Sequence, residues 1–111
     1  MSWSTEFIKA FNGAAKQAHA TSVRNGFDKN RNIPESLALI HSEVSEALEA
    51  DRKDMGESKK LFGVSQFTEE LADIVIRVMD LAEAEGCYLS GAIVRKMQYN
   101  ESREHLHGNK Y

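Results

Sequence analysis

One cysteine and one proline stand in a chain of 111 residues. With Cys87 alone, no intrachain disulfide can form, so the core must hold the chain together. With Pro34 as the sole imino acid, long stretches are open to uninterrupted helix. Long apolar runs are missing as well, and nothing approaches the roughly 20 residues that span a bilayer. A large excess of charge of either sign is also lacking. The 14 Lys and Arg against 17 Asp and Glu leave a net charge of −3, which offers no basic face to duplex nucleic acid. The opening "MSWSTEFIKAF" has none of the basic, apolar and small-residue sections of a signal peptide. Together these absences predict a cytoplasmic protein with no membrane association.

What is present reads as one folded domain over 1–111. A composition 41% hydrophobic and 28% charged is that of a globular chain, not a disordered one. Glycines 26, 56, 63, 86 and 108 punctuate the chain with Pro34, and between them the apolar period is helical. Trp3, Phe7, Phe11, Ala14, Ala15 and Ala18 predict a first helix over about 3–24. Pro34 suits the first turn of a second, which carries Leu37, Ile40, Val44, Ala47 and Leu48 to about residue 53. Ser65 can cap a third that stops at Gly86, and a fourth over about 89–103 carries Leu89, Ile93 and Met97. Nothing alternates as a strand would. The expectation is an all-α four-helix bundle.

The third helix has two apolar sides. Phe67, Leu71, Ile74, Val78, Leu81 and Ala82 form its main stripe, and Ala72, Ile76 and Met79 a second patch roughly opposite. A bundle of four helices leaves one of these sides bare, which predicts a homo-oligomer, unless the second patch is a scatter of surface apolars.

Acidic residues sit beside these stripes. In "HSEVSEALEA", Glu43 and Glu46 flank the stripe of the second helix, and in "TEELADIVIRV", Glu70 and Asp73 flank that of the third. The i, i+3 spacing puts each pair on one helix face. If the two helices are antiparallel neighbours, four acids converge. Two carboxylates about 5 Å apart repel by about 3 kcal/mol at an effective dielectric of about 20, so such a cluster holds protons or a cation. Oxygen ligands only, without Cys or His, favour Mg²⁺, Mn²⁺ or Ca²⁺ over zinc. The competing reading is a solvated acidic face in which Asp73 pairs with Arg77 one turn on. Spacing does not decide between them.

The ordered set of motifs resembles a known family. "ALIHSEVSEALEADR" followed by "FTEELADIVIRVMDLAEAEG" is similar to the MazG-like branch of the all-α nucleoside triphosphate pyrophosphohydrolases, whose signature is ExxE, a spacer and ExxD. Glu43, Glu46, Glu70 and Asp73 match it, although Ser42 stands where many members carry a further acid. The closing "KMQYNESREHLHGNKY" resembles the family's ending through Lys96, Asn100 and Arg103, with Asn109 replacing a basic residue. The resemblance implies Mg²⁺-dependent hydrolysis of a (deoxy)nucleoside triphosphate to the monophosphate and pyrophosphate. Glu43, Glu46, Glu70 and Asp73 would hold the metal, with Glu43 or Glu46 as general base. Lys96 and Arg103 would meet phosphate and Asn100 the sugar or phosphate, while His19 and Asn32 match positions near the base. The two-sided third helix makes a homodimer the minimum unit, and the resemblance allows a tetramer. Lys59 and Lys60 in "GESKKLFG" would close on phosphate or simply keep a loop soluble. Two other readings remain: a relative acting on phosphoribosyl-ATP or dUTP, and an inactive helical module for oligomerisation or binding. The intact acids in both motifs weigh against the last.

Overall fold

Short polar residues start two of the helices by satisfying backbone N–H groups that a helix leaves open. The Asn32 side chain accepts from the Glu35 N–H at 2.8 Å, just ahead of Pro34 in the first turn, and Ser65 Oγ accepts from the Thr68 N–H at 3.0 Å. The computed structural model describes residues 2–27 and 29–103. Within them lie α1 (Ser4–Arg24), α2 (Ile33–Arg52), α3 (Gln66–Ala84) and α4 (Leu89–Glu101), all close to the expected bounds. No strand occurs among the described residues, where a single antiparallel bridge joins Glu57 to Ser65 across the α2–α3 loop. The fold is all-α. No helix among them is long and apolar enough to cross a membrane.

α2 and α3 stop in the same way. After α3, Gly86 turns left-handed at φ 70° and the Cys87 N–H reaches back to the Ala82 carbonyl at 2.9 Å. After α2 the same turn is made without glycine. Asp54 takes φ 47°, and the Met55 N–H bonds the Ala50 carbonyl at 3.1 Å. Asp is among the few residues that tolerate this conformation, so α2 ends where no glycine signals it.

Packing runs through α3, which lies against both α2 and α1, while α4 packs on α1. Ser90 is fully buried and its Oγ donates to Asn12 Oδ1 at 2.6 Å, which ties α4 to α1. Among the described residues the buried apolar side chains are small: Ala15, Ala47, Ala50, Ala82 and Val94. Methyl-sized contacts let helices approach closely but bury little area. The large apolar residues of the stripes are only half-covered. On α2, Leu37, Val44 and Leu48 are exposed, and on α3 so are Phe67, Leu71, Val75 and Ile76, with Met79 half-buried. The radius of gyration, 16.5 Å, exceeds the roughly 13 Å of a compact domain this size. One chain thus leaves both sides of α3 partly bare.

The cap at Asn32 gives a stability prediction. Asn32→Ala should cost about 1 kcal/mol in chemical denaturation, because it strands the Glu35 N–H, whereas Asn32→Asp, which keeps an acceptor, should cost little. Equal stability of the two variants would show that the cap contributes nothing.

Candidate metal centre

The α2–α3 seam brings carboxylates together from both helices. One carboxylate oxygen each of Glu43, Glu46 and Glu70 lie within 4.8 Å of one another, and so do those of Glu69, Glu70 and Asp73. Glu70 belongs to both groups and joins them. All four acids picked out by spacing therefore converge, and Glu69 joins them as a fifth. Glu69 is bonded by Ser58 Oγ, which also accepts the Lys60 and Leu61 N–H groups at 3.0 Å. Its place is thus to anchor the α2–α3 loop to the seam. The doubled acid Glu69–Glu70 is visible in the sequence, but the partner in the loop is not.

Each buried acid is held by one oxygen. Arg77 Nε donates to Glu43 Oε1 at 2.8 Å, and Gln66 Nε2 donates to Glu70 Oε1 at 2.7 Å. The other oxygens, Glu43 Oε2 and Glu70 Oε2, are buried without a hydrogen-bond partner. Leaving a buried polar atom unbonded costs about 1–3 kcal/mol, more when it is charged, so two in one cluster need an explanation. Arg77 does not pair with Asp73, as the i, i+4 spacing suggested. It crosses the seam to Glu43.

The titration behaviour follows from this geometry. Burial pushes Glu43 up, but the hydrogen bond and charge of Arg77 reverse this, and the net shift is downward. Glu46 is pushed up to about 7, first because its proton can be shared with Glu43 and by the charge of Glu43, then by burial and by Glu70. The open oxygens of Glu43 and Glu70 therefore lack a partner when Glu46 is ionised. Asp73 is raised by burial and by the charges of Glu43, Glu70 and Glu69, with Lys60 opposing. Glu46 and Asp73 thus hold their protons to higher pH than free carboxylates do, whereas Glu43 does not.

A cleft of about 710 Å³ opens on these acids and is lined by Glu43, Asp73, Lys60 and Arg77, with Phe27 and Asp80 further along. Its size is that of a pocket for a small organic ligand. Lys60 therefore faces the cleft, whereas Lys59 does not line it.

At the far end a second polar group holds the α1–α2 connection to α3. Arg31 donates to both oxygens of Asp80, at 2.5 and 3.2 Å, and to Ser22 Oγ at 3.4 Å. His19 Nδ1 donates to Asp80 Oδ1 at 2.8 Å. Burial pushes Asp80 up, but the hydrogen bonds from Arg31, His19 and Ser22 bring it below the usual range. His19 lines a smaller hollow of about 260 Å³ with Arg31 and Ser36, beside the cleft and not in it. Asp80 and Arg31 are not singled out by sequence, since their pairing joins the α1–α2 connection to α3, far apart in the chain.

The remaining expected residues lie elsewhere. Asn32 caps α2 and does not line the cleft. Lys96 and Arg103 both stack over Tyr99, at 4.6 and 5.4 Å from the ring centre, and Arg103 donates to Asn100 Oδ1 at 3.4 Å. They share one face of α4, as their spacing predicted, but none of the three lines the cleft of the same chain. His105, His107 and Asn109 fall outside the described residues. Comparison with models of known families, with characterised proteins and with solved structures finds no match.

The raised Glu46 has a signed consequence for stability. A carboxyl with a folded-state pKa near 7 against an ordinary 4.5 favours the folded state while protonated, and this advantage is lost as pH rises through that window. Glu46→Gln resembles the protonated form at every pH. In metal-free buffer its melting temperature should match wild type near pH 4.5 and exceed it increasingly up to pH 8. A difference that does not change with pH would mean that Glu46 titrates as an ordinary surface acid.

Proposed function

We propose that the chain is a divalent-cation-dependent nucleoside triphosphate pyrophosphohydrolase of the MazG-like type, acting as a homo-oligomer. The observation that carries this reading is the pair of buried, unpartnered oxygens, Glu43 Oε2 and Glu70 Oε2, within a cluster of carboxylates. An all-oxygen donor set with two open positions fits a hard cation such as Mg²⁺ or Mn²⁺. The ExxE and ExxD motifs that build the cluster are those of the resemblance. Mg²⁺ bound there would neutralise phosphate charge and act as a Lewis acid on phosphoryl oxygen.

The residues of the chain supply the rest. Glu43, Glu46, Glu70 and Asp73 hold the cation, and Glu46, the exposed member, or Glu43 accepts a proton from the attacking water. The water oxygen forms a bond to the α-phosphorus as the bond from that phosphorus to the bridging oxygen breaks, releasing pyrophosphate and leaving the monophosphate. Lys60 lies at the cleft and meets phosphate as a point charge. Lys96, Asn100 and Arg103, which do not line the cleft of their own chain, reach the triphosphate from a neighbouring subunit. The half-bare apolar stripes of α2 and α3 are the surfaces that such a neighbour would cover.

Incubation with Mg²⁺ and a panel of ribo- and deoxynucleoside triphosphates, dUTP and phosphoribosyl-ATP should release pyrophosphate, and EDTA should abolish turnover. Nucleoside diphosphate and orthophosphate as the main products would exclude attack at the α-phosphorus. Asp73→Asn should lower the rate by more than the roughly 10–100-fold that loss of a mere supporting residue costs a metal site. The same variant should leave the metal-free melting temperature unchanged or raised, because it removes one of several repelling charges.

Assembly has its own test. Sedimentation should show at least a dimer at micromolar concentration, and Val75→Glu, which places a charge on the exposed side of α3, should shift it towards monomer and reduce turnover. A wild-type monomer that is fully active would refute the shared site.

A further inference from the structure

We propose that Arg77 is an internal stand-in for the cation: it neutralises Glu43 in the metal-free chain and swings to the phosphates when a divalent ion takes its place. The inference rests on the divalent-cation reading above and adds a residue to it. Arg77 holds Glu43 through Nε alone at 2.8 Å, and among the described residues its two terminal nitrogens have no protein partner. A guanidinium paired with a carboxylate is frequently engaged through its fork, with two parallel bonds. Arg31 on Asp80 shows that arrangement in this same molecule, at 2.5 and 3.2 Å. Arg77 does not.

Burial is also unequal across the pair. The Glu43 side chain is 10% exposed and that of Arg77 42%, so the acid is fixed in the seam while the base reaches in from the cleft it lines. The contacted oxygen, Glu43 Oε1, belongs to the carboxylate whose other oxygen is buried and open. A divalent ion arriving at that carboxylate meets the guanidinium as a like charge at close range, and the two cannot share it without repulsion. The guanidinium can leave at small cost, because its stem is half in solvent. Once released into the cleft it offers free N–H donors beside Lys60, where a polyphosphate would lie. Cation binding would thus produce the phosphate-binding group, and the two ligands would favour each other reciprocally.

The test separates this role from a fixed structural bond. Nucleotide-free protein is titrated with Mn²⁺ at pH 8, in the wild type, Arg77→Gln and Arg77→Lys. Arg77→Gln should bind Mn²⁺ about tenfold more tightly, since the competing charge is gone, within the range usual for coupled sites. Arg77→Lys keeps the charge and should bind as wild type does. With Mn²⁺ saturating, a non-hydrolysable α,β-imido deoxynucleoside triphosphate should bind more weakly to both variants, most of all to Arg77→Gln. The unaltered chain gives a second readout through the Arg77 Nε–H resonance. Saturating Mg²⁺ should shift that resonance and speed its exchange with water. Unchanged or weaker Mn²⁺ binding by Arg77→Gln, or an Nε–H that Mg²⁺ does not move, would make Arg77 a static partner and overturn the inference while leaving the metal site standing. A wild type that binds no Mn²⁺ at millimolar concentration would remove both the site and the inference.

Discussion

Like charges forced together at one helix seam are the constraint around which this structure is organised. Five carboxylates approach one another between α2 and α3, and four of them have a partial remedy nearby. Arg77 serves Glu43, Gln66 serves Glu70, Ser58 serves Glu69, and Lys60 eases Asp73. Glu46 is left to share a proton with its neighbours. None of these remedies closes the cluster, since two buried oxygens remain open. A surface evolved for solubility would spread such charges around the helices. Their concentration, beside a cleft that also carries cations, is the feature for which stability alone gives no reason.

The acids were legible in the sequence because helical periodicity is local. Residues three apart share a face whatever the tertiary structure, so Glu43 with Glu46, and Glu70 with Asp73, followed from spacing. The partner of Arg77 did not follow. Local spacing points to Asp73, one turn back, and only the packing of α3 on α2 brings Glu43 closer. Asn32 was read for its match to a ligand position, although "NIPES" also carries the plain signal of a cap before proline in the first turn. Lys96, Asn100 and Arg103 show the same limit from the other side. Their common face could be read, but where α4 packs depends on distant contacts such as Ser90 with Asn12.

The apolar stripes are legible as stripes, but a stripe is not yet a core. Spacing shows which residues share a side of a helix; it does not show whether anything covers that side. On α2, Ala47 is buried while Leu37, Val44 and Leu48, on the same stripe, remain exposed. The smallest side chains of each stripe make the close contacts and the largest stand around them. The polar group of His19, Arg31, Ser22 and Asp80 then does what a larger core would do elsewhere, fastening the α1–α2 connection to α3 by charge-assisted hydrogen bonds.

The buried alanines have a consequence for ionic radius. Ala47 and Ala50, both buried, follow Glu43 and Glu46 by one turn on α2, so next to the acids the packed side of this helix carries methyl groups, the smallest side chains that still define a distance. Oxygen ligands sit at about 2.0–2.1 Å from Mg²⁺ and about 2.3–2.6 Å from Ca²⁺, a difference smaller than one carbon–carbon bond. A larger side chain at either alanine would have to be accommodated by a shift of the groups packed around it. Were the acids to hold a cation as proposed, the radius they accept would depend on uncharged residues a full turn away from the oxygens.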